Sequence, residues 1–314
     1  MAHLQNREEM WDDVTTFWYD FWQMEILGRY EAVLHHYTDK GGVQGIIESN
    51  RIWATHLSHV NDPTELMYGQ NLLIEEWKAL SGALNPDLAR ILWDVIRTIE
   101  SGEWPNDIYG FCLSSESDLL SQWGRYADQC RGYSIGFNSD ELDKRLGCSI
   151  GGSPGEFIPC RPLPMLYSAE RQRAFLRQMP NRLLGIVEKW NRGILHPDMG
   201  VDTATEITGF FFAMVDRLVI KAFKHPSYKE ENEVRCINLP SPPFPRPEPK
   251  FREKQGREVP YVELTMISGK LPIEEIIVGP ALDYESARER LSALLEKNGY
   301  TGVQIKKSQI PYRA

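Results

Sequence analysis

The sequence predicts an α+β fold, a mixed and largely antiparallel sheet with helical insertions. Three observations carry that expectation. Short β-type stretches recur from one end of the chain to the other, with helical patterns between them. No glycine-rich strand-to-helix turn of the phosphate-binding kind occurs, which points away from a doubly wound parallel sheet. Two helical stretches, near residues 70–100 and 168–222, interrupt the strand-bearing sequence as insertions.

Length and composition limit the possible architectures and partners. With 314 residues, 42% hydrophobic and 11% aromatic, the chain can build one large domain or two modest ones. A net charge of −9 argues against a general nucleic-acid coat or a binder of anionic membranes, and it leaves room for a local basic groove. The cysteines at 112, 130, 148, 160 and 236 form no CxxC pair and read as reduced thiols of a cytoplasmic protein. The N-terminus lacks a basic segment followed by an apolar run, so no signal peptide is expected. The longest apolar stretch, Ile207 to Ile220, is broken by Asp216 and Arg217 and is too short to span a bilayer. Scattered His and Cys give no metal-ligand spacing, and no metal is expected.

In chain order, residues 1–32 hold an aromatic-rich helix with Trp11, Phe17, Trp18, Phe21 and Trp22, suited to core packing or to docking a protein partner. Residues 33–314 read as a single α+β domain. It opens with a strand, Val33 to Thr38, a helix carrying Val43, Ile46 and Ile47, and a strand from Arg51 to Thr55. Asp62, Pro63 and Glu65 form a helix-capping signature that does not account for Asn61, whose remaining roles are to fix the loop or to face a ligand. Ile108 to Leu113 is apolar enough for a buried strand. Leu119, Leu120, Trp123 and Tyr126 fit one helical face with Ser117 as its cap. Strands come next at Tyr133 to Phe137 and, at a sheet edge because of its prolines, Pro159 to Tyr167. A helical insertion covers 168–222, and the charged, proline-rich stretch 240–258 reads as a mobile loop that serves as a lid or partner contact. Two more strands, a helix stopped by Gly299 and a last strand from Val303 to Lys306 complete the domain.

The chemistry concentrates in Phe223 to Leu239. As a strand from Glu231, this stretch puts Glu231, Glu233 and Arg235 on one face and Val234 and Cys236 on the other. Same-face neighbours lie about 7 Å apart, so the carboxylates raise each other's proton affinity while Arg235 opposes that. Such a cluster orients hydroxyls, stabilises a cation or moves protons. An edge strand with an ion-paired polar face is the plainer alternative.

Several short pieces occur in a telling order. They are His36-Tyr37-Thr38, Asn61-Asp62-Pro63 with Glu65, Trp123 with Tyr126-Ala127-Asp128 and Gly132, and Ile135-Gly136-Phe137. After these come Phe223-Lys224, Glu231-x-Glu233-x-Arg235, Gly279-Pro280 and Ser308-x-x-Pro311-Tyr312-Arg313. Over roughly residues 33–313 this resembles the bacterial domain of unknown function 2971 family. The resemblance implies kinship with ADP-ribosyltransferase-like folds, a split β-sandwich, including those of nucleic-acid-modifying toxins.

That kinship implies roles. NAD is the substrate, and its bond to nicotinamide breaks through an oxocarbenium-like transition state that a carboxylate stabilises. His36 holds the adenosine ribose, Tyr126 or else Tyr37 stacks on nicotinamide, Glu233 meets the ribose hydroxyl and Glu231 activates the acceptor. Thr38 belongs to the same cofactor-binding strand end, and Asn61, Arg235 and Arg313 are placed near the pyrophosphate or an acceptor phosphate. The Glu-x-Glu spacing leaves open which carboxylate is catalytic. The superfamily's second motif is matched only loosely by Tyr133-Ser134-Ile135. The leading expectation is thus an ADP-ribosyltransferase that uses NAD to modify a nucleic-acid or protein acceptor, as an effector in toxin action or anti-phage defence. The alternatives are a non-catalytic nucleotide or nucleic-acid sensor, and an NAD glycohydrolase.

Overall fold

The computed structural model describes residues 31–60, 65–84, 86–102, 108–149, 157–193, 221–238, 247–254 and 256–312. The stretch expected to be an aromatic N-terminal helix, Asn61 with Asp62 and Pro63, the apolar stretch 207–220 and Arg313 lie outside the described residues. The chain divides into two compact units, a helical one and a sheet-bearing one. The two insertions fall together in the helical unit, which takes in Asp62–Asn106 and Leu166–Ser227.

In the helical unit, α2 (Glu65–Leu80), α3 (Pro86–Glu100) and α6 (Ala169–Gly193) fall on the two stretches expected to be helical. Trp77 is fully buried and donates its indole N–H to the Leu176 carbonyl at 2.9 Å. Glu76, also buried, is clamped by Arg173 and Arg177 from α6.

The sheet unit contains every described strand. They are β1 (Val33–Thr38), β2 (Ile52–His56), β3 (Tyr109–Ser114), β4 (Tyr133–Asn138), β5 (Leu146–Ser149) and β6 (Phe157–Pro159). Then come β7 (Pro162–Pro164), β8 (Glu233–Asn238), β9 (Lys250–Lys254), β10 (Arg257–Met266), β11 (Ile273–Val278) and β12 (Gln304–Lys307). The order across the sheet is β12-β11-β4-β1-β3-β2-β10-β5-β6, with β8 on β3, β7 on β8 and β9 on β10. β11 and β12 run parallel, and the other described ladders are antiparallel. The mixed, largely antiparallel α+β expectation therefore stands.

Strand alternation separates two cores. On one side Leu34, Phe111, Ile135, Val234, Cys236 and Ile276 pack with α1 (Lys40–Ser49) and α7 (Tyr284–Lys297). Both helices are capped as their sequences suggest: Asp39 accepts the Gly42 N–H at 2.7 Å, and Asp283 that of Ser286 at 2.9 Å. On the other side Tyr37 and Ile277 meet Trp123, Ala127 and Cys130, on and just beyond α4 (Leu120–Tyr126).

Three expectations change. Glu231 is not in a strand: it ends a 3-10 turn, Pro226–Glu231, and Asn232 adopts a left-handed φ of 41° before β8 begins at Glu233. The stretch Pro159 to Tyr167 splits into β6 and β7, as its closely spaced prolines break the ladder. Within 240–258, Lys250 to Lys254 is a strand hairpinned to β10, with Lys254 opposite Arg257 and Gly256 at φ 73° in the turn. The prolines crowd before Lys250, and the alternating sequence after it can pair. One short helix, α5 (Ser139–Arg145), has no counterpart in the sequence expectations; it is capped by Asn138 accepting the Glu141 N–H.

Candidate functional site

β8 delivers Glu233 and Arg235 to one face, as alternation requires, and the opposite face carries Val234 and Cys236 into the core. Two nitrogens of Arg235 converge on one carboxylate oxygen of Glu233, Nε at 2.7 Å and Nη2 at 2.6 Å. Both are buried, Arg235 to 1% exposure. Room for the arginine stem comes from β3. A Cβ on Gly110 would sit 3.2 Å from Arg235 Cδ and 2.8 Å from Leu57 Cδ2, so no larger residue fits without rearrangement.

The turn before β8 is fastened from several directions. Ser114 Oγ donates to the Glu231 carbonyl at 2.8 Å, and the Ser115 N–H to the Asn232 carbonyl at 3.0 Å. Ser121 Oγ on α4 donates to the Glu230 carboxylate at 3.1 Å. The end of α4 then supplies the contacts to the Glu231 side chain. Tyr126 donates its phenol to Glu231 Oε1 at 3.0 Å, and Arg125 Nη1 reaches the same oxygen at 3.1 Å. Glu231 is buried while the Arg125 side chain is 56% exposed, so a carboxylate sits beneath a solvent-facing guanidinium. A fixed carboxylate with a phenol and a guanidinium on one oxygen can stabilise a developing cation or receive a proton.

The remaining sequence-derived residues occupy separate places. His36 is half-buried on the Phe111 side of β1, with ring centroids 4.5 Å apart, and its Nδ1 lies 2.9 Å from the Cys112 carbonyl. Burial lowers its pKa to about 4, and the charge of Arg252 pushes the same way. The register pairs His35 with Ser114, and Ser114 with Glu233, so His35 rather than His36 shares the face of Glu233. Tyr37 is structural in its contacts: its hydroxyl donates to the Glu116 carbonyl at 2.8 Å and accepts the Leu119 N–H at 2.9 Å. Burial drives its phenol pKa upward. Thr38 ends β1, where its carbonyl lies only 2.2 Å from the position a Cβ on Gly132 would take. Asn61 lies outside the described residues. The structure thus joins Tyr126 to Glu231 and Glu233 to Arg235, and it does not bring His36 to the Glu233 face.

Sequence reasoning missed Arg125 and Asp118. Asp118, and not Ser117 as a cap, organises the entry to α4, which has no side-chain cap. Its carboxylate accepts the Trp123 indole at 2.7 Å, the Ser308 hydroxyl at 2.6 Å and the Gln309 N–H at 2.6 Å, tying the C-terminal segment to the helix. Aspartate two residues before a helix was a visible signal; its partners near residue 308 were not. Next to it lies a cleft of roughly 400 Å³ lined by Asp118, Glu275, Ile277, Lys306 and Gln309 among others. Behind Glu275, buried His35 has Nε2 at 3.8 Å from the carboxylate and Nδ1 at 3.2 Å from Ser134 Oγ. Among the described residues, no group of three or more His, Cys, Asp or Glu could hold a metal ion. No helix among them is long and apolar enough to cross a membrane.

Residues 122–236 match the model of a family described as protein of unknown function, DUF2971. The matched stretch runs from α4 to β8 and contains Arg125, Tyr126, Glu231, Glu233 and Arg235. No curated protein matches the chain, and no solved structure does.

Proposed function

We propose that this chain is an ADP-ribosyltransferase-like enzyme that takes NAD as its substrate, with Glu231 as the carboxylate at the reacting centre. The observation that carries the reading is the meeting of Tyr126 and Arg125 on one oxygen of Glu231, 3.0 and 3.1 Å away. Glu233 is a weaker candidate because Arg235 occupies its carboxylate in a buried pair. In the reaction the bond between ribose C1′ and the nicotinamide nitrogen breaks, and nicotinamide leaves with the bonding electrons. Glu231 stabilises the positive charge left on the ribose. An acceptor hydroxyl or amine then bonds to C1′, and its proton passes to Glu231. The exposed guanidinium of Arg125 suits the pyrophosphate of the same substrate. Tyr126 orients the carboxylate through its phenol and offers its ring beside it. The setting this chemistry fits is a cytoplasmic bacterial effector of toxin or anti-phage defence type.

One observation favours a second reading, a nucleotide sensor without turnover. His36 is engaged by the Cys112 carbonyl and turned to the Phe111 side, so it is not presented with Glu233. The readings separate by nicotinamide release from NAD, measured with protein, DNA and RNA as acceptors. The enzyme releases nicotinamide and Glu231→Gln abolishes it. A sensor shows NAD-dependent thermal stabilisation without release. If a folded chain gives neither response, NAD is not its ligand.

A further inference from the structure

The hairpin β9–β10 sorts its charges by face. Lys250, Arg252 and Lys254 alternate with Phe251 and Glu253, so three cations share one side and the acid takes the other. Across the hairpin, Arg257 stands directly opposite Lys254, Val259 opposite Arg252 and Tyr261 opposite Lys250. Tyr261 also pairs with Thr55 of β2 on its other edge, so β2, β10 and β9 present this face together. Among the described residues of these three strands, Glu263 is the acid that alternation brings to it, and it is already shared between Arg51 and Lys250. A chain of net charge −9 therefore carries here a locally cationic face.

Aromatic groups are set into the same face. Trp53 is 41% exposed, and its ring is backed by Tyr261 at 4.5 Å between centroids, tilted by 32°. The Arg252 guanidinium lies over both rings, 5.4 Å from Trp53 and 5.9 Å from Tyr261. Its Nη2 donates to Thr55 Oγ1 at 2.9 Å, while its Nε is buried with no hydrogen-bond partner. An immobilised, partly exposed indole beside fixed cations is a stacking platform for a base with phosphates on either side. The Lys254–Arg257 pair supplies a further argument: like charges directly opposed across a ladder repel, and a bound polyanion relieves that cost.

We propose that the β2–β10–β9 face binds single-stranded nucleic acid, stacking a base on Trp53 and lodging flanking phosphates on Arg252, Lys254 and Arg257. As the acceptor site of the enzyme it rests on the transferase reading; as a binding surface it stands without it.

The test is fluorescence anisotropy of labelled single-stranded RNA and DNA 12-mers with the full chain, without NAD, at low and moderate salt. The same assay is run with a duplex of matching sequence and with a poly-glutamate peptide. Binding of a single strand is expected, weakening steeply with salt as phosphates release counterions. Trp53→Ala should weaken it by about tenfold or more, and Trp53→Phe by much less, as stacking predicts. Lys254→Glu with Arg257→Glu, at the exposed end of the hairpin, should weaken it at least as much and flatten the salt dependence. No binding of either strand at low salt overturns the proposal. So does binding that survives both sets of substitutions, equal affinity for the duplex, or a preference for poly-glutamate. Because NAD is absent, failure here leaves the transferase reading standing, and failure of turnover leaves this result intact.

Discussion

Removing the Glu233 carboxylate would leave the Arg235 guanidinium buried without the oxygen on which two of its nitrogens converge. Breaking a buried pair from one side costs about 3–5 kcal/mol. Glu233→Ala should lower the unfolding free energy by that order in urea denaturation, and adding Arg235→Met should recover much of it. A loss under about 1 kcal/mol would mean the pair does not hold the sheet together. Glu231→Gln keeps an acceptor for Tyr126 and is expected to unfold within about 1 kcal/mol of the parent. Two carboxylates one residue apart are thus separable by stability alone. Their difference was not legible in the sequence. Alternation put Glu231 and Glu233 on one strand face, and the left-handed Asn232 between them breaks that continuity. Asparagine is among the residues that tolerate this conformation, so the signal was present but not decisive.

At the scale of elements, one end of the sheet is held by close backbone approaches. A Cβ on Gly132 would fall 2.2 Å from the Thr38 carbonyl oxygen, and one on Gly279 2.6 Å from that of Cys130. Gly279→Ala should therefore destabilise the sheet unit by about 1–3 kcal/mol, as overpacking does, read as a lowered thermal midpoint. An unchanged midpoint would show that the Cys130 turn can shift. That turn is itself unusual, with Asp128, Gln129 and Cys130 all at positive φ. These glycines were legible as motif pieces, and the reason for them is tertiary: β1, β4 and β11 meet there at residues far apart in sequence. Most strands were legible, because alternation and apolar runs are local signals; β1 and β4 lie within a residue of their expected spans. The hairpin β9–β10 was hidden by its proline-rich neighbour and its charges. Its pairing depends on partners in β2 that no local pattern announces.

At the scale of the molecule, two histidines contribute to the pH dependence of stability. Burial lowers both His35 and His36 from 6.5 to about 4. A depressed folded pKa contributes stability that is fully present above 6.5 and is lost as pH falls toward 4. For buried His35 the lost contribution is on the order of 3 kcal/mol at 1.36 kcal/mol per unit. The unfolding free energy should decline between pH 6.5 and 4, and His35→Asn should flatten part of that decline. A slope unchanged by the substitution would assign the acid sensitivity elsewhere. The cysteines make a second statement about the whole. None of the five is in a disulfide, four are buried, and burial raises the thiol pKa of Cys160 and Cys236. Native alkylation should reach Cys112 first, and rapid labelling of Cys236 would mean the β8 core opens readily.

Glu231 carries the proposed chemistry, so the most direct measurement is nicotinamide release from NAD by the parent chain, Glu231→Gln and Tyr126→Phe, each first shown to be folded. The expected result is release by the parent, a loss of at least about a hundredfold in Glu231→Gln, and a smaller loss in Tyr126→Phe, which keeps the ring but not the phenol that orients the carboxylate. Release that is undiminished in folded Glu231→Gln would contradict a catalytic role for this carboxylate.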